Sequence, residues 1–475
     1  MSRPILLASV WALPAALVLG ACTVGPDYQR PVVTTPLAYA SAASGDTQTP
    51  AAGAELASWW RQFNDPKLSE LIERGLAGSL TLQSDVSRIR AARQKEIEVG
   101  AAAYPSISTS GSELKLHTET GSALSALGVP THVTSFAAGF DATWEIDLFG
   151  ATRRAVEAAS ATTEAQLWSR RDGEVSLTAE IARDYLSLRA FQARIALGNA
   201  ELLRQQDLFA LIAARRRAGF VTDLDVNQQS TLVATAAAQI PQLGAEAHAE
   251  IHALGALLGE PPEALESELD APGAIPTADV PSLPLGLPAE LLLRRPDIRE
   301  AERRLAAATA GIGVKAASLY PKLNLYGLAT FAGMSVSDLF SHQNLLLAGL
   351  GMVSAPVFDA GRNHAEVREA EEERVQAELA YRFVIVGALR DVEDAVVRLD
   401  AEQTRRQSLG RAVDAARSSL VIAQDQYRTG FVTFVNVLEA QYALLGAEDQ
   451  LTLSQALVLT DVVAAYKALG GGWSP

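Results

Sequence analysis

The chain has 475 residues, 48% of them hydrophobic, with a single cysteine and a formal charge of −15. That apolar content excludes general disorder, and the acidic balance argues against nucleic acid, which needs a basic face. One cysteine excludes both a disulfide framework and a cysteine-built zinc site.

Arg3 is the only charge before a mostly apolar run from Ile5 to Gly20. The run is too short to span a bilayer comfortably and reads as a secretion signal over residues 1–21. It ends in Leu19-Gly20-Ala21-Cys22, small residues before a cysteine, which resembles a bacterial lipobox. Cleavage there would leave Cys22 as a lipidated N-terminus, and each buried acyl CH₂ adds about 0.8 kcal/mol of membrane affinity. Thr23 rather than an aspartate comes next. By likeness to sorted lipoproteins, this favours the outer membrane over retention at the inner one.

Residues 22–64 read as an extended, lipidated N-terminal segment, rich in Thr, Ala and Pro. The first repeat, 65–260, begins with a helical region from about Asp65 to Ala103. The period then changes to two. Phe136, Ala138, Phe140, Ala142, Trp144, Ile146 and Leu148 alternate with Ala137, Gly139, Asp141, Thr143, Glu145 and Asp147. That is a strand with one apolar face, long enough for a transmembrane barrel wall. Residues 105–116 would pair with it, giving a hairpin over about 104–148. A second alternating run, Leu323 to Phe331, and a nearly all-apolar return strand near 345–357 predict a second hairpin over about 320–358. Four strands cannot close a barrel, and lipid does not tolerate an open edge, so several chains must share one.

The remaining segments are long helices. Ile181, Leu188, Ile195, Leu202 and Phe209 recur every seven residues, as do Val226, Val233, Ile240, Ala247 and Leu254. Adding 211 to the second set gives Val437, Leu444, Leu451, Val458 and Ala465. The first set is answered by Val392, Leu399, Val413 and Leu420, with Arg406 interrupting. Sustained seven-residue seams indicate coiled-coil packing. A helix from 153 to 217 would be roughly 95 Å long at 1.5 Å per residue. Each long helix pair turns at a repeated motif: Arg217-Ala218-Gly219-Phe220-Val221-Thr222 and Arg428-Thr429-Gly430-Phe431-Val432-Thr433, with 430 − 219 = 211. The glycines can take the left-handed helix-ending conformation, and Thr222 and Thr433 can each cap the second helix of their pair. Pro241 predicts a kink in the first half only. Seven prolines between 261 and 288 mark a linker; the second repeat then runs 289–470, with a tail at 471–475.

Several stretches together identify a family resemblance. They are Cys22-Thr23-Val24-Gly25-Pro26-Asp27-Tyr28, Trp59-Trp60-Arg61-Gln62-Phe63 with Asp65-Pro66, Arg294-Arg295-Pro296-Asp297-Ile298 with Ala301-Glu302, and Ala468-Leu469-Gly470-Gly471-Gly472-Trp473. The chain resembles the outer membrane factors, the TolC-like exit ducts, in their lipoprotein branch serving resistance-nodulation-division efflux pumps. The resemblance implies a mostly α protein with a membrane β portion. Long antiparallel helical hairpins would form an α-barrel, and a homotrimer would give four strands per chain to a twelve-stranded β-barrel. It implies a periplasmic adaptor, an inner-membrane pump that supplies energy, and outer membrane lipids as partners. It places a periplasmic gate on Val435 and Glu439, where the family often has Leu and Asp. It also suggests that Arg217 and Arg428, with Asp223 and Asp225, latch the closed tips near Gly219, Phe220, Gly430 and Phe431. Ordinary helix capping explains the same charges equally well.

His248 and His252 stand four apart on a helix, but the sequence offers no third ligand, and Glu does not directly follow the first His as zinc proteases require. No metal site is expected there. Gly311-Ile312-Gly313 lacks the third glycine of a dinucleotide loop. No catalytic constellation, cofactor site or nucleic-acid surface is expected. The function read here is a passive efflux duct; a protein-secretion duct and a non-conducting coiled-coil scaffold are the alternatives, the strict strand alternation arguing against the scaffold.

Overall fold

The computed structural model describes residues 23–40, 56–117, 119, 132–276, 283, 288–337 and 339–473. Cys22, the signal segment, most of the loop at 117–134 and part of the 261–288 linker lie outside the described residues.

The helices and strands track the seams and alternations closely. Helices α1 (Pro66–Gly78) and α2 (Leu80–Ala101) precede strands β1 (Ser106–His117) and β2 (His132–Ile146). Then come α3 (Ala151–Arg217), α4 (Asp223–Leu258), the short α5 (Glu266–Leu269), α6 (Pro288–Arg294) and α7 (Pro296–Ala317). Strands β3 (Lys322–Gly333) and β4 (Leu345–Ser354) lead into α8 (Arg362–Arg428) and α9 (Phe434–Ala468). All members of the heptad seams are buried or half-buried. Each buried Val, Leu or Ile of a seam contributes about 1.5–3 kcal/mol.

Three local features add detail to these expectations. The helical region over 65–103 is two helices, parted where Ser79 leaves the helical conformation at φ −54° and ψ 123°; Gly78 just before it lies so close to the Leu258 carbonyl that a Cβ there would sit 2.5 Å from it. The 261–288 linker carries a one-turn 3₁₀ helix, Pro262–Leu265, and α5. Pro241 lies inside α4, which runs unbroken from Asp223 to Leu258, and cannot donate the backbone hydrogen bond of its position.

The chain forms two compact units. The first comprises Met1–Val32, Arg88–Leu167 and Glu300–Tyr381 and holds one antiparallel sheet in the order β1-β2-β3-β4. Its register aligns the apolar faces of the two hairpins. Phe140 lies opposite Ala329, Trp144 opposite Leu325 and Ile146 opposite Leu323. On β4, Leu347 and Val353 extend the same face opposite Ala329 and Leu323. The other face carries Asp141, whose carboxylate accepts from the Ser108 hydroxyl across the β1–β2 pair. The N-terminal segment is seated in this unit as well. Val24 N–H donates to the Phe149 carbonyl at 3.0 Å, and Thr23 lies against Gly150. Buried Arg154 binds Asp27 at 2.6 Å and Glu157 at 2.8 Å. Gly25, at φ +89°, meets Gly313 so closely that a Cβ would sit 2.4 Å from the Gly313 Cα. The Tyr28 hydroxyl donates to Glu302, which also accepts from Arg303.

The second unit comprises Val33–Ser87, Trp168–Arg299 and Arg382–Pro475. Trp59, fully buried, stacks on Tyr466 at 5.5 Å. Asp65 caps α1, accepting from the Lys67 and Leu68 amides, and its other oxygen accepts from the Tyr185 hydroxyl at 2.7 Å. Arg295 reaches Asp297 at 2.7 Å and Asp391 at 3.3 Å and donates to the Ala468 carbonyl. Gly472, at φ +106°, lies against Thr178 and donates to the Leu56 carbonyl. These packed junctions account physically for the tryptophan, Arg-Pro-Asp and terminal glycine motifs.

Candidate functional site: the helical tips

The second unit contains the turns of two helical hairpins, α3–α4 and α8–α9, each made at the repeated glycine motif. Gly219 has φ +80° and Gly430 φ +78°. At the first tip the Gly219 N–H donates to the Arg216 carbonyl and the Phe220 N–H to the Arg215 carbonyl, both at 3.0 Å. At the second tip, Gly430 N–H reaches Tyr427 at 3.2 Å and Phe431 N–H reaches Gln426 at 2.9 Å. Both are Schellman closures, which satisfy carbonyls that a helix end leaves open. Phe220 and Phe431, one residue beyond each glycine, are 81% and 84% exposed.

The helices are held together behind the tips by a core of Ile212, Leu232, Phe434, Val437 and Leu438. Leu208, Val221, Val226, Leu420, Ala423 and Tyr427 pack around it. Since α9 buries Phe434, Val437 and Leu438, it turns Val435 and Glu439, four residues apart, outward together. Val435 is 44% exposed and Glu439 is exposed in the single chain.

The charges at the tips distribute unevenly. Thr222 and Asp225 form a reciprocal capping box at the start of α4. Asp223 pairs with Arg216 at 2.7 Å, and that ion pair holds its carboxyl below the ordinary range. Arg216 was not among the residues singled out from sequence, although its spacing of seven from Asp223 across a Gly turn could have suggested it. Arg217 and Arg428 are exposed and make no ion pair among the described residues. Thr433 makes no side-chain cap to the backbone of α9; its hydroxyl donates instead to the Asn436 side-chain carbonyl at 3.0 Å.

One reading of the histidines is corrected. Glu266, from the segment expected to be linker, stands beside His248 and His252, so the pair does have a third potential ligand.

With the sheet, the seams and the tips in place, comparison with known proteins is decisive. The outer membrane efflux protein family matches residues 71–260 and 287–471, one match in each repeat. The chain belongs to this family. It is an outer membrane efflux channel. It is 32% identical to the pyoverdine export outer membrane protein OpmQ of Pseudomonas aeruginosa, across 97% of this chain and 96% of that one. It is 30% identical to nodulation protein T of Rhizobium leguminosarum bv. trifolii, again across 97% and 96%. Its fold superposes on the outer-membrane channel OprN with a TM-score of 0.86 and 34% identity, covering 96% of this chain and all of the other. The CmeC outer membrane channel of Campylobacter jejuni shares the fold at a TM-score of 0.89 with 18% identity.

Proposed function

We propose that three copies of this chain close one twelve-stranded barrel, anchored in the outer membrane by lipid on Cys22. The assembly passively conducts small molecules delivered by a periplasmic adaptor and an inner-membrane resistance-nodulation-division pump. The sheet carries this reading. Its strands have 12, 15, 12 and 10 residues, enough to cross the hydrocarbon core when tilted. Yet β1 and β4 are each bonded on one side only. Ile107, Leu347, Leu350 and Val353 are all more than half exposed on these edge strands. Lipid requires that such edges be paired, and neighbouring chains can pair β4 of one with β1 of the next. The seating of Thr23 beside Gly150, four residues past β2, supports a lipidated Cys22 held close to the end of a spanning strand.

In this reading Val435 and Glu439 form the gate. Threefold symmetry turns them into an apolar ring and a ring of three carboxylates, which narrows the path and favours cations. The exposed Phe220 and Phe431 beside Gly219 and Gly430 offer the adaptor an aromatic footing. Arg217 and Arg428, unpaired within the described residues, are available with Asp223 and Asp225 for latching contacts to a neighbouring chain.

Single-channel conductance in planar bilayers tests the proposal. The wild type is expected to show a small, cation-preferring conductance that rises in the Val435→Ala/Glu439→Ala variant. A large wild-type pore insensitive to both substitutions would move the gate elsewhere. No pore in either protein, despite stable membrane-bound trimers, would overturn the duct reading.

A further inference from the structure

Helix α4 and the short helix α5 meet through two matched pairs of side chains. His248 and His252 stand four apart on α4; Glu266 and Asp270 stand four apart at the start and the C-cap of α5. The His252 Nε2 lies 3.2 Å from a Glu266 carboxylate oxygen, and the His248 Nε2 lies 3.8 Å from an Asp270 oxygen. The ligating atoms of His248, His252 and Glu266 all fall within 4.8 Å of one another. Tetrahedral zinc with ligands at about 2.0–2.2 Å sets neighbouring ligand atoms about 3.3–3.5 Å apart. The observed spacings of 3.2 and 3.8 Å bracket that value.

The surroundings hold these groups in place. Leu265 and Leu269 are buried, and the Leu269 carbonyl accepts from the Gln192 side-chain amide at 2.6 Å. The backbone that carries the two carboxylates is thus held against α3 as well as lying beside α4. The nearby cations are engaged elsewhere: Lys67 and Arg74 both bind Glu268, at 3.0 and 2.9 Å. Among the described residues, Glu266 and Asp270 have no lysine or arginine partner; each faces a histidine. Two imidazoles and two hard oxygens suit zinc and its neighbours in the first transition row, and are poorly suited to magnesium or calcium, which take oxygen ligands throughout.

We propose that His248, His252, Glu266 and Asp270 form a binding site for a divalent transition-metal cation of the zinc class. The bound ion clips α5 to α4.

Zinc titration calorimetry on the detergent-solubilised full chain, made without a polyhistidine tag, tests this. One equivalent per chain should bind, and binding should weaken about tenfold or more in His252→Ala and in Glu266→Gln. Zinc should also slow hydrogen exchange over 262–270 in the wild type and not in those variants, which a simple ion-pair role would not produce. Absence of zinc binding by the wild type overturns the proposal. So does undiminished binding in the His248→Ala/His252→Ala double variant, which would transfer it to another group such as the His117–His132 pair, whose rings face each other across β1 and β2 at 4.3 Å.

Discussion

At the first tip, Arg216 and Asp223 form an ion pair. The positions 211 residues later are Tyr427 (216 + 211) and Phe434 (223 + 211), and these pack ring against ring at 5.4 Å. The backbone closure is the same at both tips, glycine in the left-handed conformation with paired Schellman bonds. What stands at this matched pair of positions differs: an exposed ion pair in the first hairpin, an aromatic pair whose Phe434 belongs to the shared core in the second. Arg215 of the first tip even lies over the Tyr427 ring, 5.4 Å from its centre. The core behind the tips draws on both hairpins, Ile212 and Leu232 from the first and Phe434, Val437 and Leu438 from the second. A repeat preserves the turn that its glycine dictates and leaves the clamp free to diverge.

Removing each clamp breaks the comparison most directly. Phe434→Ala should cost about 3 kcal/mol or more of local stability, read as faster hydrogen exchange over 426–438 with the seams farther along α9 unaffected. Arg216→Ala should leave exchange at the first tip nearly unchanged, because an exposed ion pair contributes little. Equal effects at the two tips would contradict the asymmetry.

The caps sharpen it further. Thr222→Ala removes a capping box and should cost about 1 kcal/mol at the start of α4. Thr433→Ala, which removes no backbone cap, should cost distinctly less. Comparable losses would mean that Thr433 caps α9 in solution.

The two halves agree at a third pair of positions. Glu250 and Asp461, again 211 apart (461 − 250), are both half-buried acids, and burial pushes them up to about 7 and about 6. For Asp461, Glu402 adds to the shift and Arg398 opposes it. A raised carboxyl binds its proton more tightly in the folded state. Its contribution is therefore fully present below the unfolded value near 3.8 and is lost as pH rises through about 6. Asp461→Asn should accordingly stabilise the protein at pH 7.5 by about 1 kcal/mol, after discounting for its partial exposure. The gain should vanish near pH 4. Thermal unfolding of both proteins across that range checks it; an equal gain at both pH values would assign the effect to packing.

The smallest expected effect concerns the first tip alone. The Asp223 carboxyl is held below its ordinary value, so the ion pair is lost only as pH falls through that depressed value. Exchange at residues 215–225 should be indifferent to pH, once intrinsic rates are corrected, between pH 5 and 8. A change within that window would implicate another titrating group.

Much of this was readable from residue order. A seven-residue apolar period can only be buried by coiling helices together, so Leu188, Leu254 and Val458 declared their places. A two-residue period likewise declared β2 and β3. The tips were legible because φ near +80° asks for glycine. Other features depend on what the rest of the chain places opposite, which period and propensity do not record. Gly78 is required where the Leu258 carbonyl approaches, at the point where the helix breaks. Thr433 resembles Thr222, yet its third neighbour is Asn436 rather than Asp225, and its hydroxyl binds that side chain instead of the backbone. Glu266 and Asp270 fell in a proline-rich segment that read as linker, so nothing in residue order aligned them with His248 and His252; the four-residue helix does. The gate residues Val435 and Glu439 are legible only as neighbours on an outward face; whether they form a constriction is a property of several chains at once.

The sheet's unpaired margins have a consequence for inheritance. In the proposed ring, β1 of each chain is completed by β4 of another, so a lesion at one margin is suffered by a neighbour whose own sequence is intact. A proline placed mid-way along β4, at Leu350 for example, should behave as a dominant negative when co-expressed with the normal gene, since most mixed rings would contain at least one joint that cannot close.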